Sequence, residues 1–540
     1  MTSQQSNLEL CKEKMKTLKV PDELIEQFKN ADDLRSFTIE KAKAKSEPPE
    51  SFRFKNYLDI VQVREENLGQ KEQETLKVYN DPVHGHIQTN RAHQCIVDTP
   101  EFQRLRFIKQ LGMVYFVFPG ATHNRFEHSL GSCHLAGQFV KLLRKNQPYL
   151  GITDTDVLCV EIAALCRDLG QGMLSNFFYE QLLPCLDNTG STKLEDMSVA
   201  MFGRLKNGPA GTKLKEKHFL DERDFTFIEE QIRGSGYEND GTWPCKGRGK
   251  EKAYLYEIAF NKRNGIDVDV FDSIARDCHH SGIKNNFDCL RYMNFARAME
   301  VDGQMQICMK REDAGNLYNM MYTLYTLHRN AYQHRIKCAI DAMVLHALEM
   351  AKDFIFLANE KETLSKCVNG MGNPPEMLDA FMDLTDNVIS KIRYSESPEL
   401  LEAKTIIENI FKRKLYTLAQ ESDPMNSTQL SKGRVDELQN LLASKGLAKS
   451  YIVQVTQLKF GAVGNDPVEK LNVYTADNLL QSTTLAHKEV GKILGRNITD
   501  EVIVRVFSCV VDNKGTGVYH TDDLQELKAV WDEWVGEVSK

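Results

Sequence analysis

The sequence predicts a mainly α fold, a helical core followed by a smaller mixed α/β C-terminal lobe, on three observations. Between residues 77 and about 420, apolar side chains recur at three- and four-residue steps, the period of a helix packed on one face. Only short Gly, Asn or Pro breaks separate those stretches. Beyond residue 420 the period shortens to two, in β-branched runs such as Tyr451-Ile452-Val453-Gln454-Val455 and Val502-Ile503-Val504-Arg505-Val506. The chain carries no repeat at a solenoid period.

In chain order, residues 1–50 hold two amphipathic patterns, Leu8 to Leu18 and Glu23 to Phe28, and end in the charged, proline-marked stretch Lys41 to Pro49. They predict a short helical appendage and a linker. Residues 51–420 are the expected core, entered through a polar, helix-prone stretch that runs to residue 76. An apolar stretch with Val157, Val160, Ile162, Ala163 and Leu165 predicts a helix stopping at Gly170, a common C-terminal glycine, with Asp168 at its end. Further helices are predicted over Phe227–Ile232, Met293–Met299 and Leu317–Leu357, where Asn316 to Lys352 fits a long helix pair. The turn-rich run Glu421-Ser422-Asp423-Pro424-Met425-Asn426-Ser427 then opens the lobe, residues 421–540.

Composition narrows the function classes. A hydrophobic fraction of 41% and a charged fraction of 27% are those of a soluble globular protein. Net charge is −8, so no global basic field holds nucleic acid and any such binding must use a local patch. No apolar run approaches the ~20 residues of a membrane span, and the polar start Met1-Thr2-Ser3-Gln4-Gln5 is no signal peptide, so an intracellular protein, nuclear or cytoplasmic, is expected. The basic run Lys246-Gly247-Arg248-Gly249-Lys250 reads as a solvated loop before it reads as a nuclear address. Thirteen singly scattered cysteines exclude zinc-finger spacing and a secreted disulfide scaffold.

Chemistry enters with His123-Asn124-Arg125-Phe126-Glu127-His128, which opens a helical pattern, and Cys166-Arg167-Asp168-Leu169-Gly170-Gln171-Gly172, which closes the next one. His128 on one helix facing Asp168 at the end of another is how a helical bundle builds a divalent metal site. A core histidine paired with a buried aspartate fits the same spacing. In Gly265-Ile266-Asp267-Val268-Asp269-Val270-Phe271-Asp272, a helix would put Asp269, Asp272 and Arg276 on one face, and Asp269 can complete a His–Asp–Asp set. An ordinary acidic N-terminal turn explains these residues as well.

Several long runs together resemble a known family: Asn80-Asp81-Pro82-Val83-His84-Gly85-His86, Phe102-Gln103-Arg104-Leu105-Arg106, Phe118-Pro119-Gly120-Ala121, Arg125-Phe126-Glu127-His128-Ser129-Leu130-Gly131, Asn261-Lys262-Arg263-Asn264-Gly265-Ile266-Asp267-Val268-Asp269 and Ala331-Tyr332-Gln333-His334. They are similar to the HD-domain dNTP triphosphohydrolases, and most to the vertebrate type that carries a sterile-alpha-motif domain before its HD domain. The similarity covers roughly residues 75 to 540, while residues 1–50 do not resemble the sterile-alpha-motif domain. The resemblance implies an HD-domain helical core, cleavage of a dNTP to deoxynucleoside and triphosphate, a divalent metal (Fe, Mn, Zn or Mg), and oligomers assembled by GTP and dNTP.

On that resemblance the metal ligands map to His128, Asp168 and Asp269, and the second histidine of the HD pair is Arg167. A guanidinium has no lone pair and stays protonated, so Arg167 cannot ligate a cation. The family's catalytic histidine is Gln171, its partner acid Tyr179, and two further active-site histidines are Asn176 and Leu194. A general acid of this kind is typically worth ~10²–10⁴-fold in rate. Phosphate and sugar contacts are also replaced at Val270, Leu324 and Ser273, whereas Gln110, Leu111, Arg125, Asp277, Tyr332 and Gln333 match the substrate site. The expectation is that Arg167 takes the metal's place electrostatically, its planar fork pairing with Asp168 or Asp269.

The same resemblance implies a first nucleotide site that reads guanine with Asp98, Gln103 and Arg106, with Lys77, Val78, Asn80 and His86 beside its phosphates. Aspartate accepts the guanine N1 and N2 protons, and adenine offers an acceptor at N1 instead. A salt-bridge network of the folded core would use these residues too. The second nucleotide site keeps Val117, Phe118, Arg291, His334, Arg335 and Arg413 but has Glu312, Asn330 and Thr417 where the family has cations. Fewer cations beside a triphosphate weaken it, so a GTP-bound dimer is expected over a nucleotide-driven tetramer. The expected function is thus a guanine-nucleotide-binding family member with hydrolysis lost or much reduced. A slow GTP-stimulated hydrolase and a scaffold that binds single-stranded nucleic acid are the alternatives.

Overall fold

Residues 76–186, 192–238, 241–357, 361–371, 374–426, 430, 432–458, 471–475, 477–484, 501–509 and 521–538 are described by the computed structural model. The chain divides into units Met1–Lys77 and Val78–Lys540. The appendage, the linker and the polar stretch up to residue 75 lie outside the described residues.

The fold is mainly α. A hairpin of β1 (Lys77–Asp81) and β2 (Gly85–Thr89) precedes helices α1 (Arg91–Val97), α2 (Arg125–Asn146), α3 (Asp154–Cys166), α4 (Leu194–Asn207), α5 (Glu222–Arg233) and α6 (Val268–Ser281). A second hairpin, β3 (Arg297–Val301) and β4 (Gln304–Lys310), leads into α7 (Ala314–Leu327), α8 (Arg335–Ala351) and α9 (Leu401–Phe411). Toward the C-terminal end follow β5 (Thr417–Glu421), α10 (Lys432–Ser444), β6 (Tyr451–Leu458), β7 (Asn472–Thr475), β8 (Asn478–Thr484), β9 (Glu501–Ser508) and α11 (Thr521–Val538), and shorter helices and turns connect the named elements.

The two β-branched runs seen in the sequence pair with each other. β9 lies antiparallel to β6, with Val504 opposite Val455 and Val506 opposite Val453, and takes β5 on its other edge. Leu438 and Leu442 of α10 and Leu527 and Trp534 of α11 bury Val504 and Val506, giving the lobe its own small core. β7 and β8 extend the hairpin of the helical core instead, Val473 pairing in parallel with Met309 of β4.

That hairpin corrects the helix expected over Met293–Met299. A helix covers Cys289–Phe295, and the chain then enters β3. Asp302 and Gly303 both have positive φ, at 51° and 77°, the two-residue turn that joins twisted antiparallel strands. The Asp-Gly signal outweighs the apolar spacing before it. The pair predicted over Asn316 to Lys352 is α7 and α8, joined through a π-turn at His328–Tyr332.

α3 is buried along most of its length and packs on α2. Its N-terminus is held by a capping box, with the Asp156 amide donating to Thr153 Oγ1 at 3.1 Å and the Thr153 amide to Asp156 Oδ2 at 3.0 Å. Asp156 also accepts from Arg248 Nε at 2.7 Å and pairs with Lys252. Burial raises the Asp156 carboxyl, but the Lys252 and Arg248 charges outweigh it and hold it at about 2. This stabilisation is therefore present above the ordinary value of 3.8 and is lost as pH falls toward 2. Asp156→Ala removes the buried acceptor of a part-buried Lys252 and of an Arg248 that keeps Asp224 at 2.7 Å, and should cost about 1.5–3 kcal/mol in denaturant unfolding at pH 7; a loss under 1 kcal/mol contradicts the anchoring role.

The C-terminal end of α3 differs from the expectation. The helix stops at Cys166, with Arg167 as its cap, and Gly170 is not in the left-handed region. Glycine is needed there for a different reason: a Cβ would collide with the Ser198 amide of α4. The close approach of α4 makes the turn that carries Arg167 and Asp168 rigid, with Ser198 Oγ donating to the Arg167 carbonyl at 2.7 Å.

Candidate active site

Three elements converge on His128. It sits in the first turn of α2, whose start is fixed by the Asn124 amide donating to Glu127 Oε1 at 2.7 Å. Asp168 follows the end of α3, and Asp269 lies in the first turn of α6. His128 Nε2 lies 3.0 Å from Asp269 Oδ1 and 3.5 Å from Asp168 Oδ2, and one ligand atom from each of the three falls within 4.8 Å of the others.

Asp272 and Arg276, read from the sequence on one face with Asp269, support this trio through partners the sequence did not show. His128 Nδ1 meets Asp272 Oδ2 at 2.7 Å, and Asp272 also takes His84 Nε2 at 2.7 Å and the Arg276 guanidinium at 2.9 Å. Arg276 reaches on to Asp81 at 2.8 Å. A carboxylate on the far nitrogen fixes the imidazole's orientation. The i, i+4 spacing of Asp272 and Arg276 was the available signal; the partners from α2 and the first hairpin were not legible. Burial lowers the His128 pKa, but bonds to Asp269 and Asp272 outweigh it and push it up to about 10.

Arg167 does not fork onto Asp168 or Asp269, as the sequence reading expected. Its guanidinium stacks over the Phe260 ring, 3.9 Å from the centroid, and Nη2 reaches Glu195 at 3.4 Å. Only 5% exposed, it leaves Nε and Nη1 without a partner. A flat cation gains from an aromatic face and a nearby acid, and that attraction draws it off the aspartates. The ion pair with Asp168 is made by Arg125, whose Nη1 donates to Oδ2 at 2.8 Å while its Nε and Nη2 hold Ser175 and Asn176. Burial raises the Asp168 carboxyl, but the charges of Arg125, His128 and Arg167 outweigh it and lower it to about 2.

The donor chemistry decides how well a metal fits. Three donors are close enough to share one ion, yet Arg125 already occupies Asp168 Oδ2 and the residue expected at the fourth position is a guanidinium. The set does not fit the four-ligand site that the resemblance implies.

The other predicted residues gather around the trio. One cavity of about 270 Å³ is lined by His128, Asp168, Asp269, Arg167, Gln171, Asn176 and Leu194, and also by Gln110, Leu111, Arg125, Asp277, Tyr332 and Gln333. Gln171 Nε2 donates to Asp168 Oδ1 at 3.3 Å. Asp277 accepts from Tyr332 Oη at 2.5 Å and is held from behind by His123 at 2.6 Å. Tyr179 stands outside the lining, its hydroxyl donating to the Gly170 carbonyl at 2.6 Å. Lys337 and Asp341 line the cavity and were missed, because α8 read from its pattern only as core helix, and Gln181 joins them from the Phe178–Leu182 turn.

Residues expected to hold guanine sit on α1 and the turns after it. Asp98 caps α1, Gln103 Nε2 donates to the Val97 carbonyl at 2.7 Å, and Arg106 Nε donates to Gln103 Oε1 at 2.8 Å. The Arg106 guanidinium lies 3.5 Å from the Phe126 ring centroid, directly beside the start of α2. Lys77, Val78 and Asn80 lie on β1 and His86 on β2. Of the second site, Phe118 meets His334 edge-on at 6.4 Å, and His334 and Arg335 line another cavity, of about 250 Å³. Val117 caps the turn Gly112–Phe116, Arg291 pairs with Asp313, and Arg413 donates to the Phe116 carbonyl at 3.2 Å.

No helix among the described residues is long and apolar enough to cross a membrane. No family model matches the chain. Curated relatives do. The deoxynucleoside triphosphate triphosphohydrolase SAMHD1 of Gallus gallus is 41% identical over 441 residues, covering 79% of this chain and 71% of the relative. That of Homo sapiens is 40% identical over 456 residues, 82% and 72% of the two chains. The SAMHD1 homolog of Dictyostelium discoideum is 33% identical over 440 residues, 80% and 77%. With identity of this level over most of both chains, the protein belongs to the SAMHD1 family of deoxynucleoside triphosphate triphosphohydrolases.

Proposed function

We propose that this chain is a nucleotide-binding family member whose triphosphohydrolase activity is lost or much reduced, and which takes guanine nucleotide at Asp98, Gln103 and Arg106. One observation carries the loss: a permanently charged, buried arginine, stacked on Phe260 and tied to Glu195, stands next to Asp168 where a fourth ligand is needed. Gln171 and Asn176 line the cavity where the family has histidines, and neither titrates near neutral pH, so no proton donor for the leaving sugar oxygen is supplied from these positions. The cavity still offers Arg125 to phosphate and Tyr332 and Gln333 to sugar. Loss of three expected cations from the second nucleotide site supports a GTP-bound dimer.

The convergence of His128, Asp168 and Asp269 favours a second reading, a slow hydrolase with a weakly held three-ligand ion. Incubating dGTP with GTP, Mg²⁺ and Mn²⁺ and measuring inorganic triphosphate separates the two. Release no faster than in a buffer control is expected; steady multiple turnovers support the slow hydrolase and contradict the loss.

A further inference from the structure

Away from the trio, the cavity wall carries a second charged group. Lys337, in the first turn of α8, pairs with Asp341 one turn later at 2.5 Å, and Gln181 Nε2 donates to the same carboxylate oxygen at 3.2 Å. All three residues line the cavity. Asp341 is 1% exposed, and its Oδ1 has no partner. A buried carboxylate oxygen left unmatched beside a ligand-sized cavity calls for a donor from the occupant. That donor is not a phosphate, which carries only acceptors and the wrong sign of charge. Arg125 and Arg167, the other basic side chains of the cavity, stand with the trio instead.

Resting on the nucleotide-binding reading above, we propose that Lys337 and Asp341 read the nucleobase in this cavity and select guanine. Lys337 only donates and ionised Asp341 only accepts. Guanine presents O6 next to the N1 and N2 protons, one acceptor beside two donors, so it satisfies an ammonium and a carboxylate with three hydrogen bonds. Adenine and cytosine offer this pair one donor and one acceptor, through the exocyclic amine and the adjacent ring nitrogen, and thymine turns a second acceptor, O2, toward the carboxylate. The extra bond to a charged group favours guanine by about 10-fold or more.

The test uses full-length Asp98→Ala protein, which removes the separate guanine site, in EDTA, with inorganic triphosphate, dGTP and dATP titrated by calorimetry. The expected result is dGTP binding at least about 10-fold tighter than dATP, with Lys337→Met and Asp341→Asn each erasing the difference and leaving triphosphate affinity unchanged. Equal affinities for dGTP and dATP, with triphosphate bound, overturn the base reading alone. A fall in triphosphate affinity in Lys337→Met makes the lysine a phosphate contact and overturns it as well. If neither triphosphate nor any nucleotide binds, the nucleotide-binding reading falls too.

Discussion

Asp98→Asn is expected to weaken GTP binding by about 10²-fold or more, because guanine loses bonds to a charged acceptor worth ~1.5–3 kcal/mol each. The substitution keeps the shape of the side chain and reverses half of its chemistry, so an amide proton faces a guanine proton. ATP binding, already weak, should hardly change. Fluorescence titration with a labelled GTP measures both. Arg106→Ala is expected to act in the same direction, since Arg106 is fixed between Gln103 and the Phe126 ring. Equal GTP affinity in Asp98→Asn and the parent contradicts guanine reading here and leaves these residues a structural network.

Arg167→His combined with Gln171→His is expected to raise triphosphate release from dGTP by about 10²–10⁴-fold over Arg167→His alone, the range that a positioned general acid supplies. The two changes address different deficits. The first removes a cation and adds a lone pair beside Asp168; the second puts a titratable group on a side chain that already lines the cavity and contacts Asp168. An equal rate in the single and double variants places the missing step elsewhere, at Val270, Leu324 or Ser273.

Much of this was legible in the sequence because helices and strands announce themselves by period. The trio was legible only in part: helical spacing left a core His–Asp pair and an ordinary acidic first turn open, and it was the family resemblance that mapped His128, Asp168 and Asp269 onto one set. What was not legible depended on contacts between elements distant in sequence. Arg167 was expected on the aspartates, but Phe260 and Glu195, supplied by other segments, offer it a flat ring and an acid. Arg125 makes the pair assigned to Arg167. Gly170 read as a helix cap and serves instead to let α4 approach. Asp341 looked like an ordinary helix residue until the Phe178–Leu182 turn met it, and Asp272, placed on one face with Asp269 and Arg276, takes partners on α2 and the first hairpin that spacing does not show.

The central claim is that Arg167 has made the trio unfit for the family's metal. Elemental analysis of the purified protein beside its Arg167→His variant, both loaded with iron, manganese and zinc and then desalted, tests it most directly. The account predicts far less than one ion per chain in the parent and about one in the variant, where four protein ligands close the site. About one ion per chain in the parent, held by His128, Asp168 and Asp269 despite the guanidinium beside them, contradicts it.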